Sequence, residues 1–159
     1  MPDLMSHLLI PYALGRSVGR PSKRPRPWLA VFCLGAVLPD LLTRAPAVAF
    51  PTSRWLGFLT APLGTPAGLF VFCLGFVFVF PQADRSRTFG WLTAGVGLHL
   101  FLDLLQKGLG TTGYDWFFPV SWASPRLGLF WPDETVLILP LLAGLAVAAE
   151  VRARLRSRA

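Results

Sequence analysis

The chain has 159 residues, of which 53% are hydrophobic and only 14% charged, and its mean hydropathy is +0.55. A soluble domain of this size would lack the polar surface to cover itself, so the composition excludes an ordinary water-exposed globule and points to a membrane protein. Fifteen Lys and Arg outnumber eight Asp and Glu, but no stacking aromatics are interleaved with the basic residues, which argues against nucleic acid as a partner.

The amino-terminal stretch "MPDLMSHLLIPYALGR" is apolar with its basic residue after the apolar part. That is the reverse of a secretory signal, so the segment is expected to be retained. At about 14 residues it is too short to span alone, and a half-membrane helix over residues 1–16, capped by Asp3, is expected. Four apolar stretches follow, at 28–42, 66–80, 88–105 and 135–151, each slightly short of the ~20 residues that cross a hydrocarbon core. Residues 107–132 are rich in Gly, Pro and aromatics, and their Trp and Tyr suit the headgroup layer. They read either as an interfacial loop or as a lid over a site. Cys33 and Cys73 stand in apolar segments without C-x-x-C spacing and read as reduced packing residues. The expected fold is all-α, one polytopic bundle of four transmembrane helices plus the short N-terminal helix, with no internal repeat.

Charge assigns the ends of these helices. Five Lys and Arg lie in 16–26, two in 85–87 and four in the tail 152–159. Placing those segments in the cytoplasm obeys the positive-inside rule. Asp84 and Glu150 then fall on the inner side, while Asp3, Asp40, Asp103, Asp115, Asp133 and Glu134 fall on the outer one. The expected location is the cytoplasmic membrane, with lipid as surroundings.

In that topology four ionisable groups reach one side of the bilayer from three helices: His7 in the first, Asp40 in "GAVLPDLL", and His99 with Asp103 in "GLHLFLDLL". The i, i+4 spacing puts His99 and Asp103 on one helical face. An ionised aspartate in an apolar helix costs about 3 kcal/mol by insertion scales, so Asp103 needs a partner. A divalent cation is one such partner, and imidazole with carboxylate suits Zn²⁺, Mn²⁺ or Fe²⁺. The alternatives are structural: Asp103 could pair with Lys107 at i+4, His99 could donate to a backbone carbonyl, and Asp40 could bond loop amides.

"MSHLL", "LPDLL" and "GLHLFLDLLQKGLGTTGYDWFFPVSW" together resemble the bacterial and archaeal membrane-bound metal-dependent hydrolases of the YdjM-like group, in order and over most of the chain. The resemblance points to His7, Asp40, His99 and Asp103 as metal ligands, with Zn or Mn as the expected ion. Ser6, Thr65 and Asp115 are the residues expected to support them. Two departures stand out: Ser6 replaces a usual Gly, and in "APLGTPAG" Gly64 occupies the place of a histidine. His7 and His99 are the only histidines in the chain, so nothing replaces the lost one. Two functional readings follow. One is a membrane-embedded metal-dependent hydrolase of a lipid-linked or membrane-proximal ester or phosphoester. The other is a catalytically degenerate relative that serves as a structural or assembly subunit of a larger membrane protein complex.

Overall fold

The computed structural model describes residues 3–18, 27–107, 115–121, 123, 125, 127–131 and 133–156. The basic loop at 19–26, the Gly/Thr stretch at 108–114 and the side chain of Asp3, expected as a cap, lie outside the described residues. The helices are α1 (Asp3–Val18), α2 (Pro27–Ala49), α3 (Arg54–Thr60), α4 (Pro66–Phe76), α5 (Gln82–Leu105) and α6 (Glu134–Arg156), with 3-10 turns at Ala61–Gly64 and Val77–Val79. Among the described residues there is no strand, only an isolated bridge between Gln106 and Phe130.

Three helices, α2, α5 and α6, are long and apolar enough to cross a membrane. The fourth expected span is corrected. Residues 66–80 form the 11-residue α4 followed by a 3-10 turn, and α4 covers only about 16 Å, roughly half of a hydrocarbon core. Local chemistry sets both of its ends. Thr65 caps the start, its hydroxyl accepting from the Gly68 amide at 3.0 Å and donating to Pro62 O at 2.7 Å, with Pro66 as the first helical residue. At the other end Phe80 is extended, as expected for the residue before Pro81. Helix α6 runs on through the basic tail as far as Arg156.

Helix α2 packs most extensively on α5, α1 packs on α6 and α2 and also touches α5, and α4 packs on α5. Successive cross-contacts rise together in number, Trp28 with Trp91 and His99 with Ala36, so α2 and α5 run parallel. A core of Leu38, Leu69, Cys73, Leu92, Val96 and Leu100 joins α2, α4 and α5, and Trp116 from the long loop packs against it. On α5, Leu92, Val96 and Leu100 recur at i, i+4, which turns one stripe of an otherwise apolar helix inward. Cys33 and Cys73 are both buried and unbridged. Helix α6 exposes Leu137, Leu141 and Leu145, apolar groups that need only lipid around them.

The C-terminal end of α5 is closed by the loop. The amides of Leu127 and Leu129 donate to Leu104 O and Leu105 O at 2.8 and 2.7 Å, and the Lys107 amide donates to Phe130 O at 2.7 Å. Two of the carbonyls that a helix end leaves over are thereby paired. This closure holds the last turn of α5, and Asp103 with it.

Candidate metal centre

Two glycines determine how closely α2 and α5 approach. A Cβ on Gly35 would overlap the carbonyl oxygen of Leu92, and a Cβ on Gly95 would overlap Phe32 O and crowd the Ala36 amide. Small residues at a crossing let helix backbones touch in a membrane. One turn beyond Gly95 comes His99, and immediately after Gly35 comes Ala36, whose carbonyl is 2.7 Å from His99 Nδ1. Pro39 has no N–H to offer Gly35 O, which loosens this turn of α2 next to the accepting carbonyl. A carbonyl accepts only, so Nδ1 carries the proton and donates to it. In the neutral ring Nε2 is then the acceptor nitrogen.

That nitrogen faces Asp103. His99 Nε2 lies 3.4 Å from Asp103 Oδ2, and His7 Nε2, brought in by α1, lies 3.2 Å from Asp103 Oδ1. The two imidazole rings are 4.2 Å apart between centroids. Both histidine side chains are fully buried and that of Asp103 is 5% exposed. One ligand atom from each of His7, His99 and Asp103 can be chosen so that all three lie within 4.8 Å of one another. Despite these short distances, neither oxygen of Asp103 makes a hydrogen bond of good geometry.

Asp40 is buried at the same end of the bundle but is engaged differently. Its Oδ1 lies 3.0 Å from Arg44 Nε, and Arg44 Nη2 reaches Asp103 Oδ2 at 3.5 Å. Of the four residues expected to ligate, His7, His99 and Asp103 form the compact group, and Asp40 sits beside it behind a guanidinium. Among the supporting residues, Ser6 is buried next to His7 in α1. The Thr65 hydroxyl is occupied in capping α4, and Asp115 lies in the loop, where its carbonyl accepts from the Phe118 amide. The expected alternative partner of Asp103, Lys107, instead places its ammonium 5.4 Å from the Trp131 ring centre. The alternative for His99 is realised, since its ring does bond a backbone carbonyl, but through Nδ1, which leaves Nε2 for the site.

Arg44 was not singled out by the sequence reading. The signal for it is its position four residues after Asp40, an i, i+4 pair of opposite charge. Its side chain is 40% exposed whereas those of Asp40 and Asp103 are 3% and 5%, so it forms the outer edge of the cluster.

The donor set fits a divalent cation. Two imidazoles and one carboxylate are nitrogen and oxygen donors of the kind Zn²⁺ and Mn²⁺ accept. His99 is oriented through its other ring nitrogen, the arrangement usual for ligating histidines. The Asp103 carboxylate, buried between the two imidazoles with the Arg44 guanidinium at its outer side, supplies the oxygen donor of the set.

The fold and this group of side chains define a helical membrane protein with a buried two-histidine, one-aspartate cluster at one end of the bundle. The chain belongs to the YdjM inner membrane protein family, whose profile matches residues 1–158. No curated protein and no solved structure matches it.

Proposed function

We propose that the chain is a membrane-embedded, metal-dependent hydrolase acting on a lipid-linked or membrane-proximal ester or phosphoester. The observation that carries this reading is the convergence of His7, His99 and Asp103 from two helices, with ligand atoms within 4.8 Å of one another and His99 Nε2 turned toward the Asp103 carboxylate at 3.4 Å, a pair that is stable only with a proton or a metal ion between them. His7, His99 and Asp103 would hold the ion. Three protein ligands with a further position open is the pattern of catalytic rather than structural zinc sites. A divalent ion held there would supply Lewis acidity and a coordinated water acidified toward neutrality. The chain's own residues would orient and insulate: Ala36 O fixes the His99 ring, the glycine crossing sets the spacing of α2 and α5, and the loop closure on Leu104 and Leu105 holds Asp103. Asp40 would act as a further ligand or as a proton acceptor beside the ion. The N-terminal basic loop and the C-terminal tail are assigned to the cytoplasmic side, which puts the site toward the outer half of the bilayer.

The reading is tested by metal analysis of detergent-purified wild type beside Asp103→Asn, followed by incubation of both with lipid-linked ester and phosphoester substrates. About one divalent ion per wild-type chain, less in the variant, and hydrolysis abolished by chelation are expected. Wild type without bound metal, and without stabilisation by added metal, overturns it.

A second reading is favoured by Gly64. Among the described residues a Cβ there would meet only Thr43 Cγ2, at 3.4 Å, on the turn of α2 that follows Asp40, so among those residues the place that the family pattern gives to a histidine has room for a side chain and lacks one. A protein with this gap would bind metal without turnover and serve as a structural or assembly subunit of a membrane complex. Metal binding without hydrolysis, together with constant co-purifying partners, is the outcome that selects it.

A further inference from the structure

Among the described residues Arg44 is the Lys or Arg side chain that meets both site carboxylates, with Nε at 3.0 Å from Asp40 and Nη2 at 3.5 Å from Asp103. It belongs to neither the histidine group nor the buried interior, since its side chain is 40% exposed. One turn before it on α2 lies Leu41 and one turn after it Val48, 46% and 67% exposed. At i−3 and i+4 they flank Arg44 on one face of the helix. The edge of the site therefore combines a guanidinium, whose fork matches phosphate oxygens two at a time, with exposed apolar side chains. An amphiphile with an anionic headgroup matches both halves, and in a bilayer that anion is a phosphate.

Charge links this edge to the interior. With both imidazoles neutral, Asp40 and Asp103 carry two negative charges and Arg44 one positive charge. A divalent cation entering beside Asp103 would face the guanidinium 3.5 Å from the same carboxylate, and like charges at that distance in a low-dielectric site repel strongly. An anion that draws the guanidinium outward removes the repulsion and leaves two carboxylates to compensate the ion.

We propose that Arg44 is the receptor for the phosphate headgroup of an anionic lipid, and that engaging this headgroup moves the guanidinium away from Asp40 and Asp103 and so strengthens divalent-cation binding at His7, His99 and Asp103. The proposal rests on the metal reading above and narrows its substrate class to phosphate-bearing lipids. Binding of headgroup and of metal are then reciprocally coupled, as linkage requires.

The test is calorimetric titration of Mn²⁺ into the detergent-purified full chain, alone and with short-chain phosphatidic acid, phosphatidylcholine or glycerol 3-phosphate. Phosphatidic acid should tighten Mn²⁺ binding by about fivefold or more, within the usual range of coupling between sites, and phosphatidylcholine should not. Arg44→Gln should bind Mn²⁺ more tightly than wild type without lipid and show no response to phosphatidic acid. Arg44→Lys, which keeps the charge, should retain a reduced response and guards against a folding defect in the glutamine variant. A wild type indifferent to phosphatidic acid, or an Arg44→Gln protein that responds as wild type does, overturns the proposal while leaving the metal reading intact. Full reproduction of the effect by glycerol 3-phosphate at equal concentration overturns the assignment to a lipid. No Mn²⁺ binding under any condition removes the metal reading and this inference together.

Discussion

Gly35 and Gly95 meet at the crossing of α2 and α5 with no room for a Cβ on either, and the distance they set is the distance at which His99 reaches the carbonyl of Ala36. Helix packing and site geometry are therefore one feature of the molecule.

Gly95→Ala should destabilise the protein by about 1–3 kcal/mol, the usual cost of overpacking a close contact. Gly97, two residues on, has nothing within 4 Å of its would-be Cβ, and Gly97→Ala should be neutral or mildly stabilising, since glycine is the poorer helix former. Thermal unfolding in detergent compares the two, and equal melting temperatures would contradict the crossing described here.

Asp103→Asn should abolish stabilisation by added metal. At roughly 100 times the dissociation constant a bound ion stabilises by about 2.7 kcal/mol, which should appear as a higher unfolding temperature in the wild type and not in the variant. The amide is nearly isosteric, so a well-folded variant that has lost the metal response is the expected result.

Lowering the pH should weaken metal binding. Imidazole ligates only when deprotonated, so binding displaces protons and affinity falls as acid is added. Titrations across about pH 7.5 to 5.5 check this, and an affinity independent of pH would exclude the histidines as ligands.

Gly64→His should raise metal affinity or stoichiometry if the position borders the site. Among the described residues the would-be Cβ has only the Thr43 methyl near it, so the substitution is not expected to disturb the fold. Equal metal content in the variant and the wild type would place Gly64 outside the ligand sphere.

Part of this arrangement could be read from the residues themselves, because the distribution of Lys and Arg gives each helix an expected direction. That directional argument put His7, Asp40, His99 and Asp103 on a common side, and the structure brings His7, His99 and Asp103 together while Asp40 faces Arg44. The i, i+4 face of α5 that carries His99 and Asp103 was equally legible, since helical period alone decides it. Other features were not. Residues 66–80 have the apolarity of a span, but their backbone is shortened by the Thr65 cap and the extended Phe80 before Pro81, local effects that hydropathy does not register. The engagement of Asp40 by Arg44 competes in the sequence with a metal role for the same carboxylate, and only side-chain placement separates them. The closure of α5 by Leu127 and Leu129 depends on backbone amides, which carry no residue signature.

Far from the histidines, Glu150 on α6 accepts hydrogen bonds from the Tyr12 hydroxyl at 2.8 Å and from Arg16 on α1, with Arg154 on its other oxygen. Since His7 rides on α1, these contacts tie the helix that carries one member of the cluster to α6. An element that lends no side chain to the group of His7, His99 and Asp103 thus helps to fix where one of its imidazoles stands, and damage to Glu150 would be felt at a distance.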